Sequence, residues 1–266
     1  MTPTTLARRF CHRLALCVVL VTANAVAQDL TVMSSGGFAP AYKELAPGYE
    51  AANGAHLNSV WGPSMGSTPG AIPVRLAHNE PADVVIMARS ELDNLAKNGL
   101  VVEGSQVDLV RSRIGMAVRA GAPLPDISTV DAFRRTLLQA RSIAYSDSAS
   151  GVYISSELFK RLGIDQQVAA KSRQIPAEPV GEVVARGDAE VGFQQMSELK
   201  PVAGITIVGP IPDELQKTTV FAAGIVKSSS HKEAAQALIQ YLASPNACPV
   251  IAKSALEPVA CLAKAH

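Results

Sequence analysis

The chain has 266 residues, with 24 Lys and Arg against 23 Asp and Glu, and 48% of its residues are hydrophobic. A balance this even excludes the strong basic excess of a nucleic-acid binder, and the apolar content is ample for a core. Low complexity and long like-charge runs are absent, which excludes extended disorder.

The first features along the chain are those of an export signal. Arg8, Arg9 and Arg13 make a positive start, Leu14 to Val21 is an apolar run of 8 residues, and Ala25-Val26-Ala27 offers the small residues of a cleavage site. The run is too short for a transmembrane helix, which takes about 20 apolar residues. Cleavage after Ala27 leaves 239 residues with a net charge of −2. Such a protein is expected in a bacterial periplasm. Cys248 and Cys261 remain, 13 positions apart. An oxidising compartment leaves two readings open for them, a disulfide or two buried free thiols.

Downstream, short apolar runs alternate with helical patterns. Leu30 to Met33 reads as a strand. Phe38, Tyr42, Leu45 and Tyr49 then recur at helical spacing up to Gly54. His56 to Trp61 is a strand, a helix begun near Pro69 runs to Ala77, and Asp83 to Met87 is a buried strand. Ser90 is expected to cap a helix through Ala96, and Ile114 to Val118 is strand-like. After the Pro-rich turn at Ala122 to Asp126 come a helix at Val130 to Leu138, a strand at Ser142 to Tyr145 and a helix at Gly151 to Leu162. A helix at Val180 to Arg186 ends at Gly187, and a strand follows at Glu190 to Phe193. Strands at Ile205 to Val208 and Thr219 to Val226 precede a last helix, Lys232 to Leu242. This alternation predicts an α/β fold with parallel-type sheets covered on both faces. Two lobes are expected, residues 28–113 with 220–266 and residues 114–219, with crossings at Ile114 to Val118 and Thr219 to Val226.

Three strand-to-helix loops are rich in Ser and Gly. Ser34-Ser35-Gly36-Gly37 follows the first strand, Gly62-Pro63-Ser64-Met65-Gly66 the second, and Ser146-Asp147-Ser148-Ala149-Ser150-Gly151 the strand ending at Tyr145. Helix N-termini bind anions through free N–H groups, and Gly lets a ligand approach the backbone. Loops of this kind in both halves predict a cleft that holds a small anion between two lobes; taken singly, each also reads as a plain capping turn. The second loop fits G-x-S-x-G, the pattern of a serine hydrolase elbow, but no helix starts directly after Ser64 and no suitable His follows. Glu178 precedes a helix and otherwise reads as a cap. Gln194 lies at the carboxyl end of a strand, where α/β ligands bind. Arg75 and Arg89 stand near the expected mouth of the first lobe and suit carboxylates, although a solvated helix face is their plain reading. The His and Cys residues lack metal-ligand spacing, so neither metal nor cofactor is expected.

In combination, Ser34-Ser35-Gly36, Asn79-Glu80-Pro81-Ala82-Asp83-Val84-Val85 and Val183 to Phe193 resemble the periplasmic molybdate-binding proteins of ABC transporters, over roughly the whole mature chain. The resemblance implies a two-lobed type II periplasmic-binding-protein fold with its ligand cleft between the lobes. It places Ser34 and Ser64 at oxyanion-binding hydroxyls and Ala149 and Ser150 in a loop that donates backbone N–H groups. The chain departs from that family at Phe193-Gln194-Gln195, where the family's tyrosine ligand has no match. Gly62 to Gly66, Tyr145 to Tyr153 and Ile175 to Gly181 resemble instead a branch that interconverts cis- and trans-aconitate. That implies an isomerase acting on a small carboxylate by a 1,3-proton shift. Glu178, Asp147 and Tyr145 are the candidate acid–base groups, and Ser34, Ser35, Gly36, Ser64, Met65, Ser148, Ala149, Ser150, Gln194, Arg75 and Arg89 the candidate ligand residues. The alternative is a transport binder for molybdate, another oxyanion or a carboxylate, which would dock an ABC permease.

Overall fold

A computed structural model describes residues 29–176 and 178–262. The expected export signal lies outside the described residues. The strands, in chain order, are β1 Asp29–Ser34, β2 His56–Trp61, β3 Val84–Ala88, β4 Val107–Ser112, β5 Ile114–Arg119, β6 Ile143–Ser146, β7 Ser172–Ile175, β8 Val191–Gln195, β9 Ile205–Pro210, β10 Thr219–Ile225 and β11 Glu257–Pro258. They form two sheets, ordered β11-β4-β10-β3-β1-β2 and β7-β6-β8-β5-β9. The molecule is two-lobed, with one sheet at the heart of each lobe.

Side-chain alternation along the strands builds a core on both faces of the first sheet. Leu30 and Val32 of β1 and Val84 and Ile86 of β3 join Phe38, Tyr42 and Leu45 from the helix Ala39–Asn53. Met33, Val85 and Met87 point the other way, into a cluster with Ile72, Leu76 and Leu92. The second sheet is covered likewise: Met116, Phe133 and Phe193 pack on one face, and Ala144, Val180 and Val184 on the other.

The pairing is mixed rather than parallel as expected. β2-β1-β3 and β7-β6-β8 are parallel. β10 runs antiparallel to both β3 and β4, and β5 antiparallel to both β8 and β9. Each sheet thus contains a strand that follows or precedes a crossing between the sheets, and that strand enters its sheet against the parallel set.

Local details also differ from expectation. The second helix starts at Ile72, with Pro73 rather than Pro69 in its first turn, because Pro69 is used in the turn before it. Ser90 is not a cap: Ala88 holds that position and Ser90 lies inside the helix Arg89–Lys97. The expected helix from Gly151 begins at Ala149 and passes through a π turn, Ile154–Leu158, before Phe159–Arg161. Strands β4 and β7 and the short helix Met196–Leu199 were not foreseen. Cys248 and Cys261 form a disulfide. No helix among the described residues is long and apolar enough to cross a membrane.

Candidate active site

The carboxyl ends of β1, β2, β6, β7 and β8 open on one cleft. Its cavity of about 280 Å³ is walled by residues just past those ends, among them Gly36, Trp61, Ser146, Asp147, Glu178 and Glu198. An adjoining cavity of about 310 Å³ shares Gly36, Trp61, Gln194 and Glu198 and adds Lys43. The register explains the convergence. Ser34 pairs with Trp61 at the end of the β1–β2 ladder, and Ser146 with Ile175 at the end of β6–β7. Parallel strands that finish level send their outgoing loops to the same edge.

Glu198 is the candidate site residue that the sequence reading missed. It is the third residue of the helix Met196–Leu199, which starts directly after β8 with no intervening turn. That lack of a turn is the signal that could have found it, since the first helical turn must then stay at the ligand edge of the sheet. Glu at such a position otherwise reads as an ordinary partner of the helix dipole. The Gln194 side-chain amide donates to Glu198 Oε1 at 3.0 Å. Gln194 is itself oriented, because its Oε1 accepts from the Val180 N–H at 2.9 Å. Part of Glu198 faces the cavities, yet protein surrounds its carboxyl closely enough that burial pushes it up to about 7. Repulsion from the Asp147 carboxylate adds to the rise, and hydrogen bonds from the Gln194 side chain and Gln195 backbone oppose it. The result is a carboxyl group able to take and return a proton near neutral pH.

The lobes touch beside this group. Ser197 Oγ donates to the Gly37 carbonyl at 2.7 Å, fully buried. The Ser64 N–H donates to Ser148 Oγ at 3.2 Å. A Cβ on Gly36 would overlap Glu198 Oε1, so the carboxyl rests against bare backbone at the start of the first helix.

The residues expected from sequence divide into groups. Gly36, Ser148, Gln194, Asp147 and Glu178 are on the cavity wall. Glu178 is largely exposed there and paired with Arg186 at 3.0 Å, an arrangement that suits an anchored surface carboxylate. Ser34, Ser35, Ser64 and Ser150 have 0–1% exposure and lie behind the wall. Ser34 Oγ bonds the Ser35 carbonyl, Ser64 Oγ accepts from the Ala88 N–H, and Ser150 Oγ bonds Ser146 Oγ, so three of these hydroxyls hold the loops in shape. Ser35 Oγ is buried with no partner among the described residues.

Met65, Ala149 and Arg89 line a different cavity, of about 340 Å³, beside the starts of β5 and β10. Arg89 is held there by Asp93 and Asp108. The Arg75 fork is filled by Glu80, and its remaining arm donates to the Trp61 carbonyl, so it has no free face for a ligand carboxylate. Tyr145 packs edge-on against Phe159 at 6.1 Å, away from the wall, and burial raises its phenol. Among the described residues, no group of three or more His, Cys, Asp or Glu is placed to hold a metal ion.

Residues 30–255 match the bacterial extracellular solute-binding protein family. The chain belongs to that family. This solute-binding protein is 59% identical over 230 residues to an aconitate isomerase of a Pseudomonas species, covering 86% of this chain and 88% of that one. In fold it is similar to the periplasmic molybdate-binding protein of Azotobacter vinelandii, with a TM-score of 0.69 and 21% identity over 85% of this chain and 98% of that one. It is also similar to the sulfate-binding protein SubI of Mycobacterium tuberculosis H37Rv, with a TM-score of 0.68 and 19% identity over 87% of each chain.

Proposed function

We propose that this solute-binding protein is a periplasmic aconitate isomerase, exported by cleavage after Ala27, with Glu198 as its base. The observation that carries the reading is the Glu198 carboxyl, raised to about 7 in the wall of the cleft. A carboxylate there is a liability to a protein that only binds anions, since it repels the ligand. For a 1,3-proton shift it is the required group. The similarity to an aconitate isomerase supports the substrate class.

The chemistry follows from one base. Ionised Glu198 removes a proton from the substrate methylene, and the electron pair spreads over the three-carbon unit into the adjacent carboxylates as a dienolate. The Glu198 carboxyl then returns its proton to the other end of that unit. The double bond moves by one position and the base is regenerated. The two ends are separated by a single carbon, so one carboxyl can serve both. Gln194 holds the carboxyl in place, and the Ser148 hydroxyl, which accepts from Ser64, is free to donate to a substrate carboxylate. We propose lobe boundaries at residues 28–113 with 220–266 and at 114–219, so that closure brings Gly36 and Glu198 together around the substrate.

The test is to incubate the mature protein with trans-aconitate in deuterated water and follow the proton spectrum. Formation of the cis isomer, with deuterium entering carbon, is expected. Glu198→Gln should slow it by about 10²–10⁴-fold, the scale of general acid–base catalysis, while keeping ligand binding. Binding of trans-aconitate with no isomerisation in the wild type would leave a transport binder, the reading that the fold serves equally well.

A further inference from the structure

A tricarboxylate brings three negative charges to a wall that already holds the Glu198 carboxyl, and the Arg186 charge there is taken up by Glu178. Something must offset them, and the arginines near the cleft are committed to internal carboxylates. Among the described residues walling the two adjoining cavities, Lys43 supplies the positive charge. Its Nζ lies 4.9 Å from the centroid of the Trp61 ring. Trp61 is itself braced edge-on by Tyr42 at 5.9 Å, and Tyr42 is buried and accepts a hydrogen bond from Ser59. An exposed lysine usually samples many rotamers, so a ring beneath the ammonium reduces the entropy lost when it grips a ligand. All three ammonium hydrogens remain available to an oxygen acceptor, since the ring offers only its π face.

Resting on the reading above, we propose that Lys43, held over Trp61, binds one particular carboxylate of the substrate and selects tricarboxylates over dicarboxylates. Glu198 and Lys43 wall the same cavity, so the ammonium can hold the far end of a ligand whose reacting carbons lie at the carboxyl. Lys43 is a positioning and specificity residue. It takes no part in proton transfer.

Trp61 is the single tryptophan of the chain and borders both cavities, so its fluorescence reports occupancy independently of turnover. The experiment titrates wild type and Lys43→Gln with trans-aconitate and with mesaconate, itaconate and glutaconate, each of which lacks a different one of its three carboxylates. Lys43→Gln is expected to weaken trans-aconitate roughly ten-fold, the scale of one charge-assisted hydrogen bond at a partly exposed site. It should leave unchanged the affinity for the one dicarboxylate that lacks the group Lys43 reads. KM for trans-aconitate should rise with kcat within about two-fold, and Lys43→Arg should restore part of the loss. Unchanged affinities in Lys43→Gln, or an equal loss for all four ligands, would overturn the proposal alone. A wild type that responds to none of the four would overturn the carboxylate reading as a whole.

Discussion

The Glu198 carboxyl occupies the space that a side chain on Gly36 would need. The overlap is with the end of a flexible side chain, so Gly36→Ala can be accommodated by swinging Glu198 aside. The consequence falls on catalysis rather than on folding. Gly36→Ala is expected to lower kcat on the order of 10²-fold, the usual effect of misplacing a reacting group by about 1 Å. Its melting temperature should stay within a few degrees of wild type. Turnover assays and calorimetry on the same preparation check both halves.

The pH profile should carry the signature of Glu198. The base must be ionised, so kcat/KM is expected to rise through about pH 7 and level off above it. Asp147 raises the Glu198 pKa, so Asp147→Asn should move the acid limb to lower pH. Gln194 favours the ionised form by donating to it, so Gln194→Leu should move the limb to higher pH. Opposite shifts in these two variants are the measurement that ties the limb to Glu198.

Stability should depend on the same group. Its folded value of about 7 lies above the ordinary 4.5, so between those two pH values the folded state holds more proton than the unfolded. Stability from this residue is therefore present below pH 4.5 and falls as pH rises to 7. Glu198→Gln has no such loss, and its stability relative to wild type should increase from pH 5 to pH 8. Urea unfolding of both proteins at several pH values gives the difference directly.

The bridge between Cys248 and Cys261 closes a 13-residue separation and ties the chain on either side of β11 to the edge of the first sheet. Replacing both cysteines by Ser should cost about 3 kcal/mol by the loop-entropy relation. In a domain of this size that lowers the melting temperature by roughly 6–12 °C. The isomerisation rate at 25 °C should not change, because the bridge touches none of the cleft residues.

Much of the architecture was legible because its signals are local. Val84 to Ala88 is an unbroken apolar run, and it is the fully buried strand that such a run implies. Gly187 marks a helix end by its own chemistry, at φ 85°. Strand direction is not local. β5 and β10 look like any other apolar runs, and only their place after a crossing makes them antiparallel. β7 was missed because Ser172, Arg173 and Gln174 lie at a sheet edge and need no apolar face. At the site, the strand-end loops were legible but the direction of each hydroxyl was not. Ser148 reached the wall and Ser150, two residues on, turned back to Ser146. The Arg75–Glu80 pair lay within five residues and was open to inspection, whereas the enclosure of Glu198 depends on Gly36, 162 positions away.

The hydrogen bond from Ser197 to Gly37 ties the helix that bears Glu198 to the opposite lobe. Burial is the largest cause of the raised proton affinity of Glu198, and Gly36 of the opposite lobe supplies part of that burial. The acidity of this carboxyl is thus set by a contact between the lobes as well as by its own helix.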